Sequence, residues 1–277
     1  MRIALAQLDS AIGDVDGNLE LIRTMVDQAN AQDVDLTVFP ELATHGYSLG
    51  QLLEKRSLSA GDERLTALAS GRSDVLVGFH EDGGVRVYNS AAYISRSTVV
   101  HVHRKLYLPN YLTWEERKHF SPGQSLRAFD TAHARAAILI CYDAWQPPVP
   151  WLAAQDGAEL LLVPTNSSTN LGPEQLDNQI YWERTLESIG RTQQAWVVFV
   201  NRVGSEGGVE FWGGSRVIDP HGEVVAQAPL SEPALTIVDV DIAAARRTRR
   251  EIPLIAEARL GLIQRETARL IQEGGDA

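Results

Sequence analysis

Residues 136–147 of the chain read AAILICYDAWQP and contain its only cysteine, Cys141. The five consecutive apolar residues 136–140, without polar alternation, predict a strand that is covered on both faces. The residues that follow, YDAWQPP, cannot continue such a strand, so Cys141 is expected where the strand ends. In α/β folds the backbone often turns sharply at such a point and exposes reactive groups. A buried structural thiol is the alternative interpretation.

The composition limits the class of protein. The chain has 277 residues, of which 44% are hydrophobic, and this supplies enough apolar side chains for one large domain or two modest ones. No internal repeat or long linker divides it, so we predict a single domain over residues 1–277, with residues 241–277 as an oligomerisation or packing tail. One cysteine excludes a disulfide scaffold and fits a reducing compartment.

Charge and targeting signals exclude several partners. The sequence shows neither a signal peptide nor a run of about 18 apolar residues, which predicts a cytoplasmic protein without a membrane partner. A formal net charge of −11 argues against nucleic acid as a partner. The one basic cluster, at residues 246–250, is interpreted as a solvated helix face.

In each half of the chain, strands separated by helices come first and hairpin strands follow. In the first half we predict strands at 2–8 and 34–39, a helix between them capped by Asn18, a helical segment at 51–70, and hairpin strands at 74–79, 85–94 and 98–102. In the second half we predict strands at 136–140, 158–163 and 196–201, helices at 150–155 and 174–194, hairpin strands at 208–212, 213–218, 223–226 and 234–240, and a helical C-terminal region. This repeated pattern predicts an α/β protein built as a four-layer α-β-β-α sandwich.

Three unlike reactive side chains each follow a β-rich apolar run. They are Glu41, Lys105 and Cys141, and strand ends at one edge of a layered sheet can meet in space. A thiol needs a base or a cation to be an effective nucleophile, and the carboxylate and the ammonium group supply both. We therefore expect Glu41 to act as general base, Lys105 to hold that carboxylate ionised and stabilise an oxyanion, and Cys141 to attack. The alternative is that Glu41 and Lys105 are ordinary surface residues.

Metal chemistry receives little support from the sequence. The seven histidines show no His-x-x-x-His or Cys-His spacing, and His101 with His103 is interpreted as a polar strand edge. We expect neither a metal nor a cofactor.

Three segments also carry a resemblance to a known family. FPELATHGY around Glu41, HRKLYLPNY around Lys105 and LICYDAWQP around Cys141 resemble, in order, the signature segments of the nitrilase superfamily of carbon–nitrogen hydrolases. The similarity continues through PTNSS at 164–168, VNRVG at 200–204 and FWGGSRVIDPHGEVV at 211–225. It implies the α-β-β-α sandwich, a Glu-Lys-Cys triad that uses no cofactor, a thioester acyl-enzyme, and a homodimer or larger homo-oligomer.

The resemblance also implies a second glutamate. The family form KxxLPNYxxxDExxxF is matched by residues 105–120, which assigns this glutamate to Glu116 and puts Glu115 where the family usually has Asp. We prefer Glu116 and keep Glu115 as the alternative. The backbone N–H of Tyr142 is the implied oxyanion donor beside Lys105.

The chain is most similar to stand-alone amidases and to the glutaminase half of glutamine-dependent NAD synthetases. The sequence shows no second domain that would use the ammonia, so we expect an amidase that hydrolyses a small linear carboxamide to carboxylate and ammonia. The alternatives are a hydrolase of N-carbamoyl amines or amino acids, a nitrilase, and an inactive binding or scaffold member of the fold. We expect fast iodoacetamide labelling of Cys141 in an active enzyme, because fast labelling requires a depressed thiol pKa. The candidate pocket residues are Tyr111, Tyr142, Trp145, Asn166 and Ser167.

Overall fold

The fold is given by a computed structural model, which describes residues 1–47, 56–111, 114–169 and 177–274. Its strands are β1 Arg2–Gln7, β2 Leu36–Val38, β3 Asp74–Asp82, β4 Val87–Ser95, β5 Thr98–Arg104, β6 Phe129–Asp130, β7 Arg135–Ile138, β8 Leu160–Thr165, β9 Trp196–Asn201, β10 Val203–Glu206, β11 Val209–Trp212, β12 Arg216–Ile218, β13 Val224–Gln227 and β14 Ala234–Asp239. Its α-helices are α1 Val15–Asn30, α2 Glu63–Thr66, α3 Pro148–Gln155, α4 Asn178–Gln193, α5 Ala243–Glu251 and α6 Leu260–Gln272.

Two six-stranded sheets form the centre of the molecule. The strand orders are β14-β1-β2-β3-β4-β5 and β13-β12-β9-β8-β7-β6. In each sheet three neighbouring strands are parallel, β1-β2-β3 and β7-β8-β9, and the outer strands pair antiparallel to them. The two sheets therefore repeat one arrangement, as the repeated pattern in the sequence predicts.

Three apolar cores separate the four layers. The central core joins the sheets, with Ile3 and Leu5 of β1 in one cluster with Ile138 of β7 and Val198 of β9. A second core lies between the first sheet and α1, and a third between the second sheet and helices α3 and α4. These layers confirm the predicted α-β-β-α sandwich. Within the described residues, no helix is both long and apolar enough to cross a membrane.

Several predicted boundaries are wrong for local reasons. Helix α1 is capped by Asp14, whose carboxylate accepts a hydrogen bond from Gly17 N–H, whereas Asn18 lies inside the helix and bonds the backbone of Ala11. Pro164 lies inside β8 instead of ending it. It is tolerated there because the pairing of β8 with β7 stops at Leu162, so no donor is needed on that side.

Other predicted elements are shorter or divided. Of the helical segment expected at 51–70, residues 51–55 lie outside the described part, and the remainder contains only α2 and a 3₁₀ turn at Ala67–Ala69. Likewise, residues 174–176 of the expected helix lie outside the described part, and α4 begins at Asn178. Strand β10 was not predicted; it pairs with β11 in a separate two-stranded ribbon. In α5, Arg249 is partly buried and donates to the carbonyls of Ala158 and Gln193, so this arginine anchors the helix and is not part of a solvated face.

Candidate active site

The structure brings the predicted acid and amine into direct contact. Glu41 follows β2, Lys105 follows β5 directly, and Glu116 lies on a 3₁₀ turn, Glu116–Lys118. Lys105 Nζ donates hydrogen bonds of 2.7 Å to Glu41 Oε1 and of 2.7 Å to Glu116 Oε1. All three side chains are at most 5% exposed. A single ammonium group therefore bridges two buried carboxylates.

Further hydrogen bonds fix the orientation of the Glu41 carboxylate. Asn89 Nδ2 donates to Oε1 at 2.7 Å, and the backbone N–H of Asn166 donates to Oε2 at 3.0 Å. The loop that carries Glu41 lies against β3 at Gly78, where a Cβ atom would approach Leu42 N to 2.4 Å. Glycine is required at this point because any side chain would displace the loop.

Cys141 lies on a sharp bend. It begins the 3₁₀ turn Cys141–Trp145 and has a left-handed φ of 47°, which is strained for a residue other than glycine. Tyr142 is the next residue of this turn, so its N–H is among the donors that the first turn of a helix leaves unused. The thiol is partly buried and lies close enough to Glu41, Lys105 and Glu116 for all three charges to change its pKa.

One buried carboxylate connects the cysteine segment to the lysine segment. Asp143 Oδ1 accepts hydrogen bonds from the backbone N–H groups of Leu106 at 3.0 Å and Tyr107 at 2.9 Å. Its Oδ2 accepts from Ile140 N–H at 3.1 Å and from His103 Nε2 at 3.0 Å. Strand β5 lies at the edge of its sheet, as predicted, but the ring of His103 is buried and bonded to Asp143 instead of facing solvent.

Burial dominates the electrostatics of the site. It raises the pKa of Cys141 well above its usual value; Glu41 and Glu116 raise it further, and Lys105 opposes them. For Lys105, burial favours the neutral amine, but the two carboxylates outweigh burial and raise its pKa well above the usual value. Burial also raises the pKa of Glu116 to about 7, against the opposing effect of Lys105. The pKa of the thiol is therefore shifted in the direction opposite to the one that fast labelling near neutral pH requires.

The two adjacent glutamates differ sharply. Glu116 is buried against Lys105 and also accepts a hydrogen bond from the hydroxyl of Tyr47. Glu115 is exposed and pairs with Lys118 at 2.6 Å. The geometry therefore favours Glu116 over Glu115 as the second glutamate of the site.

A small cleft opens above Cys141, with a volume of about 40 Å³. All five candidate pocket residues line it: Tyr111, Tyr142, Trp145, Asn166 and Ser167. Several further residues line the cleft that were not predicted from the sequence: Tyr47, Pro109, Trp114, Ser168, Asn178 and Trp182. Tyr47 and Ser168 lie in segments already singled out for their motifs, but nothing in the pattern showed which side chains face the cleft.

Several polar atoms in this cleft have no internal partner. Both side-chain atoms of the Asn166 amide, the hydroxyl of Ser168 and the indole N–H of Trp145 are buried without a hydrogen bond to any described residue. Buried polar groups normally have a partner, so these atoms indicate contact with a ligand or water. Across the described ranges, no group of three or more His, Cys, Asp or Glu side chains is arranged to hold a metal ion.

The fold and the comparisons with known proteins together define a hydrolase that acts on carbon–nitrogen bonds other than peptide bonds. The chain matches the carbon–nitrogen hydrolase family over residues 2–250, and it belongs to this family, part of the nitrilase superfamily. The predicted family is confirmed.

The relatives fall into two groups. A glutamine-dependent NAD(+) synthetase from Xylella fastidiosa is 32% identical over 99% of this chain and 50% of the synthetase. An (R)-stereoselective amidase from Pseudomonas sp. is 31% identical over 96% of this chain and 94% of the amidase. The chain spans about half the length of the NAD synthetases that it matches.

One solved structure is similar to this chain in both sequence and fold. It is a mutant of the amidase from Nesterenkonia sp. AN1, in which acrylamide has added to the active-site cysteine. The two chains share 27% identity and a TM-score of 0.77, over 91% of this chain and 98% of that one.

Proposed function

We propose that the protein is an amidase that hydrolyses a small linear carboxamide to the carboxylate and ammonia. The observation that carries this proposal is the Lys105 ammonium group, held between the buried carboxylates of Glu41 and Glu116 beside the thiol of Cys141. Membership of the carbon–nitrogen hydrolases and the similarity to amidases support the reaction class. The covalent adduct at the cysteine of the Nesterenkonia amidase supports a nucleophilic role for Cys141.

The first half of the proposed reaction forms a thioester. Glu41 takes the thiol proton as Cys141 Sγ attacks the amide carbon, and the carbonyl oxygen becomes an oxyanion. Lys105 Nζ and the backbone N–H of Tyr142 stabilise that oxyanion. The protonated Glu41 then gives its proton to the amide nitrogen, the C–N bond breaks, and ammonia leaves.

The second half consumes one water molecule. Glu41 removes a proton from the water as the water oxygen attacks the thioester carbon. The C–S bond breaks, the carboxylic acid leaves with the second proton of the water, and Glu41 returns the first proton to Sγ. One amide and one water molecule therefore give one carboxylic acid and one ammonia.

Proton transfer is expected to accompany attack in this mechanism. Because burial and two carboxylates raise the pKa of Cys141, the resting thiol stays protonated near neutral pH. A base in contact with the site is then essential, and Glu41 is oriented for that role by Asn89 and Asn166.

Glu116 is assigned to positioning. Its Oε1 accepts from Lys105 and Tyr47, while Oε2 is buried and has no partner among the described residues. Oε2 is therefore available to accept a hydrogen bond from the N–H₂ group of the bound amide.

The test is ammonia release from acetamide, propionamide and isobutyramide, compared between the wild type and Cys141→Ala. The wild type should release ammonia with one equivalent of acid, and the variant should release none while keeping the wild-type unfolding temperature. An undiminished rate in Cys141→Ala would reject the mechanism. Hydrolysis of the matched nitriles or N-carbamoyl amines in preference to amides would favour the nitrilase or carbamoylase alternative, and no turnover of any of them would favour the scaffold alternative.

A second candidate function is a glutaminase that supplies ammonia to a synthetase. It is favoured by the 32% identity to the Xylella NAD synthetase over 99% of this chain. Glutamine would then be hydrolysed faster than the simple amides, which the same ammonia assay measures.

The predicted homo-oligomer and the single-domain organisation also remain proposals. The amphipathic helix α6 supports the first, since the apolar side chains of Leu260, Ile263, Leu270 and Ile271 are each about half exposed.

A further inference from the structure

We infer that the cleft selects amides whose acyl group is uncharged and discriminates against amides that carry a carboxylate. This inference rests on the proposed amidase function and names the substrate class of the same site. It follows from the charges, the walls and the polar atoms of the cleft.

The charges at the floor of the cleft repel a second anion. Glu41 and Glu116 both present carboxyl groups, and Lys105, the cation that the described residues place beside them, already donates to each at 2.7 Å. None of the described residues that line the cleft has a permanently charged side chain. The described part of the site therefore offers a substrate carboxylate no uncompensated cation.

Two arginines line cavities that adjoin the cleft. Arg117 lines a groove that shares Tyr142 with the cleft, and Arg184 lines a groove that shares Trp145 with it. Neither arginine lines the cleft itself. Of the segments outside the described ranges that lie close to lining residues in the sequence, 112–113 and 170–176 contain no lysine or arginine, whereas 48–55, after Tyr47, contains Lys55.

The walls of the cleft suit an apolar group. Tyr47 and Trp114 meet edge to face with ring centroids 5.1 Å apart. On the other side Trp145 lies 5.6 Å from Tyr142 and 5.7 Å from Trp182. Such packed aromatic rings present a rigid apolar surface that an alkyl or aryl group can cover without reorganising it.

Among the described side chains that line the cleft, the buried polar atoms without a partner belong to Asn166, Ser168 and Trp145, and all of them are neutral. Another such atom at the site, Glu116 Oε2, is a carboxyl oxygen, so it cannot compensate a substrate carboxylate either. Burying an ion without such compensation costs far more than burying a neutral polar group. The cleft therefore accepts neutral substituents and penalises anionic ones.

The decisive comparison uses two amides of one shape. In 4-methylpentanamide an isopropyl group occupies the place of the carboxylate in succinamate, so the pair differs in charge and hardly in size. We expect kcat/KM for 4-methylpentanamide to exceed that for succinamate by at least about 100-fold, a ratio of the kind that buried unpaired polar groups impose on specificity. Glutamine should be a poor substrate for the same reason, which also separates the two candidate functions.

Each outcome decides the question. Equal or faster hydrolysis of succinamate would overturn the inference and leave the amidase function intact. If acetamide is hydrolysed but neither 4-methylpentanamide nor succinamate is, the inference is also overturned, since the cleft would then select by size alone. No hydrolysis of any amide would reject the proposed function and the inference together.

A substitution in the wall of the cleft is expected to increase activity toward succinamate. Asn178 begins α4, lines the cleft and donates to the carbonyl of Ser168 at 3.0 Å. Asn178→Arg supplies the missing cation, so it should raise kcat/KM for succinamate relative to kcat/KM for 4-methylpentanamide at least about tenfold. Gln179→Arg, one residue further and outside the lining, is the matched control and should leave the ratio unchanged. An unchanged ratio in Asn178→Arg would overturn the electrostatic explanation, and if this variant does not fold, the wild-type comparison decides alone.

Discussion

At Cys141, burial opposes nucleophilic reactivity. The environment raises the pKa of the thiol, chiefly through burial and then through Glu41 and Glu116. The mechanism requires this thiol only while an amide occupies the cleft, when Glu41 receives the proton. A resting thiol of this kind is protected from unwanted alkylation and oxidation, because the thiolate is the reactive form.

The rate of alkylation tests whether the resting thiol is unreactive in a protein that still hydrolyses amides. Iodoacetamide should react slowly with Cys141 at pH 7 and faster as the pH rises above 9. In Glu116→Gln the loss of a neighbouring negative charge lowers the thiol pKa, so alkylation at pH 8 should become several-fold faster. Amide turnover should fall by about 100-fold, since the lysine and substrate lose their positioning.

Glu115→Gln is the matched control for this prediction. It removes the same charge one residue earlier at an exposed site that pairs only with Lys118 among the described residues. Both rates should stay near those of the wild type. Slower alkylation in Glu116→Gln would contradict the electrostatic account of the thiol.

At the scale of elements, the candidate active site is built from strand ends that belong to different sheets. Glu41 and Lys105 follow β2 and β5 of the first sheet, whereas Cys141 follows β7 of the second. Asp143 joins the two sheets at this point, because it accepts hydrogen bonds from His103 and Leu106 on one side and Ile140 on the other.

Asp143→Asn tests this connection. An amide has one acceptor oxygen where the carboxylate has two, so two of the four N–H donors would face an N–H₂ group. The unpaired donors should destabilise the fold by about 1–3 kcal/mol. Displacement of the bend should lower kcat by about 100-fold.

Two measurements separate these effects: urea unfolding reports the loss of stability, and kcat and KM for the amide report the loss of positioning. A role confined to stability would leave kcat unchanged in the fraction that stays folded, and that result would contradict a positioning role. Asp14→Asn is the control, because asparagine also caps helices and the exposed α1 cap lies on the surface.

At the scale of the whole molecule, acid sensitivity is built into the loop that follows Glu41. Burial lowers the pKa of His45 to about 4. Its ring also accepts a hydrogen bond from His80 N–H through Nδ1, which a proton on that nitrogen would remove. The unfolded chain binds this proton near pH 6.5 and the folded protein only near pH 4, so stability falls as the pH drops between these values.

His45→Gln should reduce this acid dependence. The neutral form of His45 contributes up to ~3 kcal/mol above pH 6.5 that is lost on acidification to pH 4. Urea unfolding at pH 7.5 and 4.5 should therefore show a smaller difference in His45→Gln than in the wild type. Exposed His133→Gln serves as control, and an equal difference in all three proteins would refute the assignment.

Assembly is the second prediction at this scale. A second copy of the chain is expected to cover the exposed apolar residues of α6, so sedimentation equilibrium should show a dimer or larger species. Ile263→Glu combined with Leu270→Glu should shift the protein to monomer. Gln264→Glu combined with Gln272→Glu adds the same charge to exposed polar positions and should not, and a monomeric wild type would contradict the prediction.

The sequence by itself determined the family, the layered architecture and the order of the reactive residues. Continuous apolar runs, such as the one before Cys141, and the residues that end them are local signals, and they identified Glu41, Lys105 and Cys141 without coordinates. Boundaries were less certain where a distant contact decides them. Pro164 extends β8 only because β7 has stopped pairing, and Asn18 is drawn into α1 by its bonds to Ala11.

Only the tertiary structure decided the chemistry between these residues. Contacts between segments far apart in the chain bury Glu116 beside Lys105 while Glu115 stays exposed, and they raise the thiol pKa. They also supply the hydrogen-bond partners of Asn89, Tyr47 and Asp143. A pattern of residue types records which side chains are present and how a strand or helix uses them locally. Desolvation and the direction in which a side chain points are properties of the packed sheets, because they depend on every layer that surrounds the cleft.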